Sequence, residues 1–110
     1  QETGTILPYC RAKIFTDGWG YKFQAHHLVE VAMGRETLNM EKEAIENIPA
    51  VILTEAKHKA LTKALDEARA KVLKGTGKDL LEKQELWAVY QHVYADKPAW
   101  LEAIKSYFNK

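Results

Sequence analysis

Asn47-Ile48-Pro49-Ala50-Val51-Ile52-Leu53-Thr54-Glu55-Ala56-Lys57-His58 carries the change of period that decides the fold. Pro49 disfavours a helical backbone at Ile48, so a helix over Glu41 to Glu46 has to end near Asn47. Ala50 to Leu53 is an unbroken β-prone apolar run, the best candidate for a buried strand. Thr54 then offers a hydroxyl to cap a helix, with Glu55 in its first turn. Leu61, Leu65, Ala68 and Val72 extend that helix as a stripe at helical spacing.

Upstream, Asp17-Gly18 reads as a turn between two short β-prone runs, Lys13 to Thr16 and Tyr21 to Gln24. The second run leads into Ala25-His26-His27. Leu28 to Met33 is apolar apart from Glu30 and reads as a short helix stopped by Gly34. Downstream, Gly75-Thr76-Gly77 breaks the long helix. A further helix is predicted from about Lys78 to Tyr94, with Leu81, Leu86, Val89 and Val93 in the core. The last helix, Ala99 to Phe108, puts Trp100, Ile104 and Phe108 on one face. The expectation is a single α+β domain over 1–110.

Composition narrows the function. The 110 residues suit one domain, and 46% hydrophobic with 28% charged residues exclude a disordered tail or a fibrous repeat. A net charge of +1 is unlike a dedicated nucleic-acid binder, yet the charge is uneven. Lys57 to Lys78 holds seven cations against two anions, and Glu30 to Glu46 holds five anions against two cations. The lone Cys10 makes no internal disulfide and excludes a Cys-based metal site. No stretch approaches the ~18–20 apolar residues of a membrane span, and the pattern of a secretory signal is missing. Gln1-Glu2-Thr3-Gly4 lacks an initiator Met and looks like the edge of a cut, so the expectation is the C-terminal part of a longer protein.

Three of the four histidines fall where chemistry can use them. The order is a strand ending in His26-His27, a connection, Asn47, a strand, and a helix bearing His58 in its first turn. Adjacent imidazoles can divide two tasks that one nitrogen cannot perform together, holding a cation and taking a proton from water near neutral pH. Neighbouring strand residues point to opposite faces, so a break or bulge is expected if both serve one site. Each residue also has a plain structural reading. Asn47 can cap the preceding helix, His58 can pack with Leu61 and Leu65, and Glu30 reads first as a solvated helix residue. His92 reads as structural, and Trp19, Trp87 and Trp100 read as packing residues.

Ala25-His26-His27-Leu28-Val29-Glu30, Asn47 to Thr54 and His58 together resemble the HNH/endonuclease VII superfamily. The similarity is to nuclease toxin domains of bacterial polymorphic toxins with an Ala-His-His signature. It covers about residues 20–65 and leaves the C-terminal helices, about 78–110, undiagnosed. It implies a small ββα-metal core, a β-hairpin plus a helix clasping one divalent cation. His26 and His58 would be metal ligands, His27 the general base, and Asn47 the residue bracing the His-bearing loop. In the better-known pattern a second helix histidine follows four residues after the first. Thr62 stands there, so the shell is His26 and His58 with water and substrate, and zinc, nickel, magnesium or manganese all remain open. Glu30 is a candidate to hydrogen-bond a ligand histidine. Lys57, Lys59 and Lys63 flank His58 where phosphates would approach, and Arg11, Lys13 and Arg35 are candidate transition-state cations.

The resemblance implies a metal-dependent endonuclease of low sequence specificity, DNA being favoured as substrate. It would be an antibacterial effector carried by a larger delivery protein, acting in the target-cell cytoplasm and blocked by an immunity protein. An RNA-cleaving toxin and a non-catalytic helical interaction module are the alternatives.

Overall fold

The computed structural model describes residues 6–19 and 23–109. The elements run β1 (Ile6–Pro8), α1 (Tyr9–Trp19), β2 (Phe23–His27), α2 (Val31–Glu36), α3 (Lys42–Glu46), β3 (Pro49–Thr54), α4 (Glu55–Leu73), α5 (Lys83–Val93) and α6 (Pro98–Ile104), with a closing 3-10 turn at Lys105–Tyr107. The described strands form one antiparallel sheet in the order β1-β3-β2, so β3 is central and β2 lies at an edge.

Central β3 explains the unbroken apolar run. Val51 and Leu53 join the main core with Leu65, Leu86, Val89 and Tyr90, under α4 and α5. Ala50 and Ile52 face the other way and meet Ala12 of α1. With helices on both faces, alternation has nothing to mark. The Thr54 hydroxyl caps α4 as expected, accepting from the Lys57 N–H at 3.4 Å.

Several boundaries are corrected. Lys13 to Thr16 is helical, and Asp17-Gly18 lies in the last turn of α1 instead of a hairpin turn. Ala12 and Thr16, four residues apart, are both buried while Ile14 between them is 74% exposed, a helical period that β propensity concealed. Tyr21, in the second run, and Gln1 to Gly4 lie outside the described residues, as does the side chain of Trp19.

Leu28 and Val29 are not the start of a helix. They form a bend after β2 with both side chains buried in the core, the Leu28 N–H donating to the Pro49 carbonyl at 2.9 Å. Gly34 does not stop α2 but lies buried inside it, where a methyl would stand 3.3 Å from Ile48 Cδ1. The α5 helix begins at Lys83, five residues later than expected, because the Glu85 carboxylate accepts from the Glu82 N–H at 2.8 Å and closes the first turn there. The last helix tightens to a 3-10 turn after Ile104, with Trp100, Ile104 and Phe108 buried as anticipated. Among the described residues no helix is long and apolar enough to cross a membrane.

Candidate functional site

The sequence order strand, His-His, connection, Asn, strand, helix is reproduced as β2, α2, α3, β3 and α4. β2 pairs with β3 in unbroken register, His26 opposite Val51 and His27 opposite Ala50. No bulge separates the two histidines, so their rings leave opposite faces of the sheet. His26 turns toward α4 and α5, where its ring meets His58 edge-on at a centroid distance of 5.4 Å. His27 turns toward α1 and stacks on Tyr9 at 3.7 Å and 18°. The edge position of β2 still lets both border one small cavity of about 130 Å³, shared with Ala25, Glu30, Val31, His58 and Thr62. His58 and Thr62, one helical turn apart on α4, therefore do present the same face to the site.

Burial sets the charge state. His26 is 4% exposed, and desolvation, reinforced by the nearby His58 and His27, lowers its pKa to about 3. Desolvation alone brings His27 to about 4 and also lowers His58. All three rings are neutral at neutral pH. The Nε2 atom of His27 is buried with no hydrogen-bond partner. His26 Nε2 lies 3.0 Å from the Tyr94 hydroxyl, which donates to the Leu28 carbonyl at 2.8 Å.

Glu30 is neither a solvated helix residue nor bonded to a histidine. Its backbone is extended at the start of α2, and its carboxylate pairs with Arg69 of α4. Tyr90 of α5 receives the Glu30 N–H at 3.2 Å and donates to the Glu30 carboxylate at 3.3 Å. Burial nonetheless raises the Glu30 pKa, against the lowering pull of Arg69. Arg69 also binds Asp66, which holds its guanidinium in place.

The chain was compared with family models, with curated proteins and with solved structures. Nothing matches.

Other candidates are placed apart from the histidines. The Asn47 side chain donates to the Glu43 carbonyl at 2.9 Å and accepts a weak contact from Cys10 Sγ at 4.0 Å, so these bonds cap α3 and do not brace the strand of His26 and His27. Lys57, Lys59 and Lys63 are exposed on α4. Lys59 pairs with Glu55 at 3.8 Å, and Lys57 borders a separate cavity of about 430 Å³ with Tyr94, Lys97 and Trp100. Arg11 and Lys13 are exposed on α1, and Arg35 on α2. His92 is exposed, Trp87 is half-buried against Phe108, and Trp100 is buried against Tyr94.

Among the described residues no cluster of three or more His, Cys, Asp or Glu is arranged to hold a metal ion. What is present is a pair of imidazoles. With metal–nitrogen bonds of about 2.1 Å, two ligating rings around one ion stand with centroids roughly 4.5–5.2 Å apart. The 5.4 Å between His26 and His58 lies just beyond that range. Any further ligands would have to be water or substrate oxygens.

Sequence reasoning missed Tyr90, Tyr94, Arg69 and Tyr9. The signal for two of them was present, since Tyr90 and Tyr94 lie four apart on one helix. A buried tyrosine hydroxyl needs a partner, and here the partners are Glu30 and His26.

Proposed function

We propose that this chain is a metal-dependent phosphodiesterase with a ββα-metal core, formed by β2, β3 and α4, and that it cleaves DNA with little sequence specificity. One observation carries the reading: His26 and His27 from β2 and His58 and Thr62 from α4 meet at a single cavity, and the three histidines there are neutral. His26 and His58 would hold one divalent cation, which when bound supplies a Lewis acid for the phosphate oxygens.

The chain's own residues would do the rest. His27, neutral and bordering the same cavity, would take the proton of the attacking water. An arriving phosphodiester is anionic, which raises the proton affinity of a neighbouring imidazole above its value in the free protein. The Thr62 hydroxyl can orient a water in the cavity. Lys57 and Lys63, exposed on the helix that bears His58, can contact the flanking phosphates. The Glu30–Arg69 pair ties the start of α2 to α4, with Glu30 bordering the cavity. Contacts of this kind address backbone and leave base edges unread. On the same reading the chain is the toxic part of a delivered antibacterial effector, and its partner in the producing cell is an immunity protein.

Plasmid nicking by wild-type and His27→Ala proteins, with EDTA and then with zinc, nickel, magnesium or manganese, tests the proposal. Metal-dependent nicking by the wild type, abolished in a His27→Ala protein with an unchanged circular dichroism spectrum, is the expected result. Cleavage of RNA alone would move the assignment to an RNA-cleaving enzyme. No cleavage of either substrate with any metal would leave the non-catalytic interaction module.

A further inference from the structure

We infer that Tyr94 is a positioning residue that fixes His26 in its Nε2–H tautomer, so that Nδ1 is the nitrogen His26 offers to a divalent cation. The inference deepens the proposed metal site and rests on that reading only for the identity of the ligand.

Proton counting carries it. The Leu28 carbonyl can only accept, and it lies 2.8 Å from the Tyr94 hydroxyl. A phenol has one proton, and that proton is committed to Leu28. The contact of 3.0 Å between the same hydroxyl and His26 Nε2 therefore needs its proton from the ring. The opposite assignment would set the phenol oxygen against the carbonyl oxygen at 2.8 Å with no hydrogen between them. Leu28 and Tyr94 are fully buried, so water cannot relieve that clash.

Tyr94 is itself packed on two sides. Its ring stacks on Tyr90 at 5.4 Å and 5°, and Trp100 meets it edge-on at 5.2 Å. With Nε2 committed to Tyr94, Nδ1 carries the one remaining lone pair of a ring that stands 5.4 Å from the His58 ring. The arrangement is what a metal-binding histidine requires, since a bond to the far nitrogen fixes both tautomer and ring orientation. Tyr94 is the C-cap residue of α5, outside the segment that supplies the histidines, which gives the C-terminal helices a role at the site.

The test is two-bond ¹H–¹⁵N spectroscopy of the full chain labelled on histidine, at neutral pH, first with EDTA and then with zinc. His26 is assigned by its loss in His26→Gln, and exposed His92 is an internal reference for a freely averaging ring. In the wild type, His26 should show a pyrrole-type Nε2 and a pyridine-type Nδ1 without averaging. Zinc should shift Nδ1 and leave the Nε2 proton in place. Tyr94→Phe should bring His26 toward the averaged values of His92 and weaken zinc binding roughly 10–100-fold.

A protonated Nδ1 in the wild type, or zinc on Nε2, would overturn the inference. So would a Tyr94→Phe protein in which neither the spectrum nor the affinity changes. Should Tyr94→Phe not fold, the wild-type spectra with and without zinc decide alone. An intact Nε2–H tautomer that Tyr94→Phe releases, in a protein that binds no zinc, would support the positioning role and count against the proposed metal site.

Discussion

Acid should destabilise the metal-free chain through His26, and His26→Gln should remove that part of the sensitivity. Burial lowers the His26 pKa from 6.5 to about 3. For a base depressed on folding, the unfolded chain binds a proton that the native chain refuses between the two values. Stability is therefore complete above the unfolded pKa and falls as pH drops through it. Integrated over those two values, the loss is about 0.8 kcal/mol at about pH 6 and about 2 kcal/mol at about pH 5. His27 and His58, also lowered, act in the same direction. Glu30, raised by burial, acts in the opposite one, because the folded state holds its proton more readily. The comparison with His26→Gln isolates His26 from all three. Glutamine keeps a side-chain N–H for the Tyr94 hydroxyl and does not titrate. Urea unfolding in EDTA at both pH values is the assay. Between those two pH values the His26 contribution changes by about 1.2 kcal/mol, a midpoint shift of roughly 0.6–1.2 M for a urea slope of roughly 1–2 kcal/mol per M. Equal pH dependence in wild type and His26→Gln would refute the reasoning.

Three further outcomes follow from packing and conformation. Leu65→Ala, at a fully buried position facing β3 and α5, should cost roughly 2–5 kcal/mol in urea unfolding. Arg69→Ala strands the largely buried Glu30 carboxylate and should cost roughly 1–3 kcal/mol; adding Glu30→Gln should recover part of it, and a strictly additive double mutant would count against the pairing. Gly77 has φ of +73° with open space around it, so Gly77→Ala should lower stability by about 1 kcal/mol through backbone strain alone, and Gly77→Asn by less.

Much of the second half of the chain was legible because its signals are local. Pro49, the Ala50–Leu53 run and the Thr54 hydroxyl are each read within a few residues, and β3, its junction with α4 and the shared face of His58 and Thr62 all follow from them. The first twenty residues misled for the same reason. Lys13 to Thr16 has β-prone side chains, but its helical period becomes visible only once Ala12 and Thr16 are seen to be buried. Gly34 looked like a stop and is instead a contact with Ile48, a partner fourteen residues away that no local pattern announces.

The sequence by itself determined an α+β chain with paired histidines at a strand end and a third on the following helix. Only the tertiary structure decided what those histidines can do. Regular β2–β3 pairing sends His26 and His27 to opposite faces, and the edge position of β2 returns both to one cavity. Tyr94, 68 residues beyond His26, determines which nitrogen is free. Arg69 and Tyr90 turn Glu30 away from solvent and into an ion pair. A hydrogen bond or a desolvation cost depends on the three-dimensional distance between groups, and chain separation carries no record of that distance.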